Sequence, residues 1–111
     1  MPSRDLAAFV VWDPELGAHR GNVPEGMALI KDSRALHYWD ANEVVGRAYQ
    51  RTLPTPGPAW DVYLLFRRGV KWIGAMPPRP DYWMHQLSGV TNAPHLDPDI
   101  LLQHVEQLLR T

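Results

Sequence analysis

Residues 60–73, WDVYLLFRRGVKWI, decide how this chain is read. In an extended segment Val62, Leu64 and Phe66 fall on one side and Tyr63 and Leu65 on the other, so both faces are apolar. An interior strand covered on two sides has that pattern. Arg67-Arg68-Gly69 predicts a short hairpin connection, with glycine free to take positive φ. Val70–Ile73 then predicts a returning edge strand. The residues leading in, Leu53 to Pro58 (LPTPGP), are stiff and continue neither helix nor strand, because each proline fixes φ and lacks a backbone donor.

Upstream, Ala7 to Trp12 (AAFVVW) is a short apolar run rich in β-formers. It predicts a fully buried strand, since a helix needs more length. Asp13-Pro14-Glu15 has the composition of a helix start. Gly17, Gly21 and Gly26 then predict a loop with at most short helical turns, and Asn22–Glu25 marks a second possible start. Arg34 to Trp39 is the next strand. Asp40 and Glu43 have the spacing of a capping box, with Asp in place of Ser or Thr. Val45, Ala48, Tyr49 and Thr52 or Leu53 recur on one face, so a helix is predicted from Ala41 to Thr52.

Downstream, Met76 to Pro80 interrupts regular structure. Asp81 to Leu87 is too short for its period to separate helix from strand, and fits one or two helical turns followed by a loop from Ser88 to His95. Leu96, Asp97, Pro98 and Leu101 supply a staple residue, an N-cap, a first-turn proline and the staple's partner. Leu101, Val105, Leu108 and Leu109 form the apolar stripe of the terminal helix.

The bulk properties narrow the function classes. At 111 residues the chain has the length of one domain. Five tryptophans argue for a compact domain or a sticky face, since aromatics anchor both. Formal charge is −1 with no basic run, so a nucleic-acid partner is not expected. No stretch approaches the roughly 20 apolar residues of a membrane span, so no membrane partner is expected either. The polar start, Met1 to Asp5, lacks the hydrophobic segment of a secretory signal, and a cytoplasmic location is the default expectation. The chain has no cysteine, so disulfides, thiolate metal ligands and cysteine nucleophiles are excluded within it.

The order of predicted elements is strand, irregular segment, strand, helix, strand, turn, strand, long loop, helix. Its second half resembles the C-terminal part of the thioredoxin-like superfamily, in which a proline, usually cis, precedes a hairpin strand. Pro58 through Trp72 resembles that pattern, and the likeness extends over residues 7–74 and 97–110. It implies an α/β fold: a mixed sheet of about four strands with helices packed on it, in a single domain over residues 1–111. It also places Pro58 beside a cleft. The family's Cys-x-x-Cys, with the strand and helix that carry it, has no counterpart here, so thiol–disulfide activity does not carry over. An in-frame Cys-x-x-Cys segment upstream would instead make the chain the remainder of a truncated thiol–disulfide oxidoreductase. A sheet without that unit leaves an edge or face that dimerisation would cover.

The chemistry-bearing residues divide into two sets. Pro58, Trp60, Asp61, Tyr82, Trp83, Met84 and His85 are the candidates for a binding cleft, in a region where prolines bracket aromatics. The plainer reading is a loop held to the core by its rings. His85, His95 and His37 are the metal candidates, with His85 beside Met84 suited to a soft metal. The competing expectation is that His85 packs on Trp83 and bonds a loop carbonyl, and it is the favoured one. His19 and His104 are expected in solvent. Asp13 and Asp40 are expected as helix caps, and Asp61 as an arginine's partner or a buried acid. The expected function is a non-catalytic binding or self-association module without cofactor, its partner a protein or a second copy. The alternative is a metal-binding protein or enzyme.

Overall fold

The computed structural model describes residues 6–15 and 35–110. In chain order these form β1 (Ala8–Trp12), β2 (Ala35–Trp39), α1 (Val44–Thr52), β3 (Val62–Leu65), β4 (Tyr82–His85) and α2 (Pro98–Leu109). The architecture is α/β. Among the described residues the four strands do not share one mixed sheet; they pair as two two-stranded sheets, β1 with β2 and β3 with β4. The chain divides into two compact units, Met1–Val45 and Gly46–Thr111. The helix signals at Asn22–Glu25 and the glycines at 17, 21 and 26 lie outside the described residues.

In the first unit β1 and β2 run parallel, with Ala8 opposite Ala35 and Trp12 opposite Trp39. Alternation along the pleat sorts the side chains. Phe9, Val11, Leu36 and Tyr38 are exposed, whereas Val10, Trp12, His37 and Trp39 are half-buried. The apolar run at Ala7–Trp12 therefore does not form a fully buried strand, because Phe9 keeps 66 % of its surface in solvent.

Beyond β2 the Asp40 amide donates to the Trp12 carbonyl at 2.7 Å, and a tight turn follows in which the Glu43 amide donates to the Asp40 carbonyl. Glu43 sits at φ 53°, so the backbone is not helical until Val44, three residues after the sequence signal. The Asp40 carboxylate still caps the helix, but over that turn: Oδ1 accepts from Val44 N–H at 2.9 Å and Oδ2 from Val45 N–H at 2.8 Å.

In the second unit α1 buries Gly46, Tyr49 and Thr52, with Leu53 just beyond. The buried face is turned from the Val45/Ala48 stripe toward Gly46. Glycine carries no hydrophobic signal, yet here it admits the backbone of the returning linker, whose Ala59 amide donates to the Gly46 carbonyl at 2.8 Å. Pro58 packs at the same place, and no described peptide bond is cis, so the cis-proline expectation for Pro58 is not met. The core comprises Tyr49, Leu53, Ala59 and Met84, with Thr52, Thr55 and His85 buried among them.

The hairpin expectation is corrected at its second strand. β3 pairs antiparallel with Tyr82–His85, not with Val70–Ile73, in the register Val62↔His85, Tyr63↔Met84, Leu64↔Trp83, Leu65↔Tyr82. Residues 70–73 lack a regular element, and Ile73 is 81 % exposed. In this pairing Met84 and His85 are almost completely buried, while Trp72 and Ile73 remain exposed. The segment expected as helical turns is thus the strand. Its entry is fixed by Asp81, which accepts the Arg67 amide at 2.8 Å and donates its own amide to the Leu65 carbonyl. α2 begins as its sequence implies: Asp97 is the N-cap, accepting from the Asp99 and Ile100 amides, and Pro98 opens the first turn.

Candidate functional site

Antiparallel pairing of β3 with β4 gathers most of the predicted cleft residues on one ribbon. Directly opposed residues share a face, so Val62, His85, Leu64 and Trp83 line one side and Tyr63, Met84, Leu65 and Tyr82 the other. Trp60 and Asp61 precede β3, at the end of the ribbon where β4 exits. Pro58 instead packs against α1 near Gly46.

His85 is 2 % exposed and both ring nitrogens have partners. Nδ1 accepts the Leu87 amide at 3.0 Å, which requires that nitrogen to be unprotonated. Nε2 then carries the proton and donates to the Ala93 carbonyl at 3.0 Å. The backbone reinforces this, with the Leu96 amide donating to the His85 carbonyl and the His85 amide to the Pro94 carbonyl. The ring also packs against Trp83 at 5.8 Å and meets the exposed His95 edge-on at 5.7 Å. His85 therefore pins the loop of residues 86–96 to the ribbon. A metal at either nitrogen would displace one of its hydrogen bonds, and Met84 is too deeply buried to join it.

Each end of the ribbon holds a carboxylate. At one end the Tyr63 hydroxyl lies 3.1 Å from Asp61 Oδ1 and 2.8 Å from Gln86 Oε1, while the Gln86 amide donates to the Asp61 carbonyl. Asp61 takes φ 52°, a left-handed conformation that aspartate tolerates better than most residues. Burial, together with the adjacent Asp61 charge and hydrogen bond, raises the Tyr63 pKa above its ordinary value. At the other end the Arg67 amide and guanidinium bind Asp81 and hold its pKa below the usual carboxylate value, the amide hydrogen bond contributing most.

Tyr82 faces α2, where its ring stacks on His104 with centroids 3.5 Å apart and planes 6° from parallel. His104, expected in solvent, is half-buried and serves as an attachment point for the helix.

The first unit carries a second constellation, at the carboxyl ends of β1 and β2. Such strand ends are where open α/β sheets commonly bind ligands. Both strands end at a tryptophan followed by an aspartate, and the parallel register sets Trp12 opposite Trp39 and so brings Asp13 and Asp40 to the same end. Asp13 accepts the Glu15 amide at 3.3 Å. Burial raises its pKa, opposed by that hydrogen bond and assisted by the charges of Glu43 and Asp40. Trp12 Nε1 donates to His37 Nδ1 at 2.9 Å, and the two rings lie 6.0 Å apart and 8° from parallel.

These carboxylates are engaged on backbone amides, and His37 on an indole. Among the described residues no group of three or more histidine, aspartate or glutamate side chains is arranged to hold a metal ion. No described helix is long and apolar enough to cross a membrane. No protein-family model, curated protein or solved structure matches this chain.

Proposed function

We propose that this chain is a non-catalytic, thioredoxin-like module that self-associates through the open face of its parallel sheet. One observation carries the reading. Phe9, Val11, Leu36 and Tyr38 are 66, 40, 51 and 50 % exposed, and the register Phe9↔Leu36, Val11↔Tyr38 gathers them on a single face. Parallel strands in folded proteins are covered on both faces, so this surface calls for an occupant. Its four side chains bear no charge at neutral pH, and two copies can therefore meet there without like-charge repulsion.

Size sets the strength of the contact. Exposed aromatic and aliphatic side chains of these fractions present on the order of 400 Å². Two such faces fall below the roughly 1,200 Å² at which stable interfaces begin. The expected assembly is a weak, concentration-dependent dimer. The thioredoxin-like part of the reading is supported by element order and by the succession of a parallel pair and an antiparallel pair. Thiol chemistry has no support in a chain without cysteine.

Sedimentation velocity over a wide concentration range tests the reading. The wild type should pass from monomer to dimer as concentration rises, and Phe9→Glu or Leu36→Glu should remain monomeric with an unchanged circular dichroism spectrum. A wild type that stays monomeric throughout, or a Phe9→Glu variant that dimerises as well as the wild type, refutes it.

A further inference from the structure

The connection between β3 and β4 does something that neither folding nor self-association explains. All six residues from Lys71 to Met76 are exposed. Three of them are large and apolar: Trp72 at 43 %, Ile73 at 81 % and Met76 at 62 % exposure. The segment is held in place rather than left to collapse. Trp72 Nε1 donates to the Gly74 carbonyl at 2.8 Å, and the indole meets the buried Tyr49 ring edge-on at 5.8 Å. Gly69 and Gly74 turn the chain at φ 86° and 77°, both in open space with nothing within 4 Å of a built β-carbon. Ile73 and Met76 are thus presented to solvent by a turn whose tryptophan is anchored inward.

Charge identifies the occupant. Between Phe66 and Asp81 the sequence carries Arg67, Arg68, Lys71 and Arg79 against the single carboxylate Asp81. The chain as a whole has a formal charge of −1, so this stretch is a local cationic island. A second copy of the same island would be repelled. Aliphatic and thioether side chains offer no hydrogen bonds to a base edge, and the Trp72 indole is already engaged. An exposed apolar tip flanked in sequence by cations fits the interface of a bilayer, where the apolar groups enter the acyl boundary and the cations meet lipid phosphates. No membrane-spanning segment is needed.

We infer that residues 66–79 are a peripheral docking loop for anionic lipid surfaces, with Ile73 and Met76 inserting, Trp72 bracing the turn from inside, and Lys71 and Arg79 providing the electrostatic attraction. This site is separate in sequence and chemistry from the face formed by Phe9, Val11, Leu36 and Tyr38.

The test is co-sedimentation of the full chain with vesicles of phosphatidylcholine alone and with vesicles in which roughly one third of the lipid is phosphatidylglycerol. The wild type should bind the anionic vesicles, and binding should fall steeply between about 0.05 and 0.5 M salt. Lys71→Glu should weaken it by about fivefold or more, the worth of one surface cation. Ile73→Ser with Met76→Ser should weaken it at least as much without changing the salt dependence. The variant Phe9→Glu should bind like the wild type, which separates this result from the dimer. No binding to anionic vesicles, equal binding to neutral ones, or binding insensitive to Ile73 and Met76 overturns the inference. So does tighter capture by an oligonucleotide than by vesicles.

Discussion

The carbonyl oxygen of Ala59 lies 2.6 Å from the point that a β-carbon on Gly46 would occupy. Helix α1 and the proline-rich linker are therefore in backbone-to-backbone contact, closed by the 2.8 Å bond from the Ala59 amide to the Gly46 carbonyl. In an isolated helix Gly→Ala would gain about 1 kcal/mol. Here the added carbon meets backbone, which cannot rotate away, and overpacking costs about 1–3 kcal/mol. Gly46→Ala should lower stability in urea unfolding despite its better helix propensity. Gly57→Ala, with nothing within 4 Å of its β-carbon, should be neutral or stabilise by up to about 1 kcal/mol.

His85 should matter for stability and not for metal. Removing its ring leaves the Leu87 amide and the Ala93 carbonyl without partners and opens a cavity beside Trp83. His85→Ala should cost about 2–4 kcal/mol and speed amide exchange across residues 86–96. Zinc or copper should leave the thermal midpoint of the wild type unchanged. A metal-dependent rise that His85→Ala abolishes would show that the histidine is a ligand after all.

The two perturbed aspartates should tilt the pH dependence in opposite directions. Asp81 is held below its ordinary value of 3.8 by Arg67. Its contribution to stability is present above that value and is lost as pH falls through the lower folded pKa. Asp13 is held above 3.8 mainly by burial. The folded chain then binds its proton more tightly than the unfolded one, so stability is lost as pH rises through the folded pKa. In urea unfolding from acid to neutral pH, Asp81→Asn should be weaker than wild type at neutral pH and converge with it in acid. Asp13→Asn keeps an oxygen for the Glu15 amide and should be the more stable at neutral pH, converging likewise in acid.

The stacked Tyr82 and His104 rings attach α2 to β4. Aromatic pairs contribute about 0.5–1.5 kcal/mol beyond the area they bury, so His104→Ala should destabilise by about that amount. Amide exchange within Pro98–Leu109 should accelerate more than in α1. His104→Phe, which keeps a ring, should recover most of the loss.

Local signals were enough for much of this structure. Strands at Ala8–Trp12, Ala35–Trp39 and Val62–Leu65 follow from short apolar runs bounded by turn residues, and α2 follows from Asp97, Pro98 and the leucine stripe. Each of those features is decided by neighbours within a few residues. What the sequence could not decide was partnership. Val70–Ile73 has as good a strand pattern as Tyr82–His85, yet β4 wins because its Met84 and His85 find a buried place against β3 and the loop after it. The α1 start is displaced because Asp40 reaches over a turn to the Val44 and Val45 amides, a geometry that a capping-box spacing does not distinguish. From sequence His85 reads first as a ring packed on Trp83 and bonded to a loop carbonyl, with a soft-metal ligand as the alternative; which carbonyl and which amide meet its two nitrogens, those of Ala93 and Leu87, only the fold decides. Hydrogen-bond partners and burial are properties of residues far apart along the chain, so tertiary structure alone assigns them. By itself WDVYLLFRRGVKWI specified its first strand and a turn, while the remainder of that stretch became the exposed loop that β3 and β4 enclose.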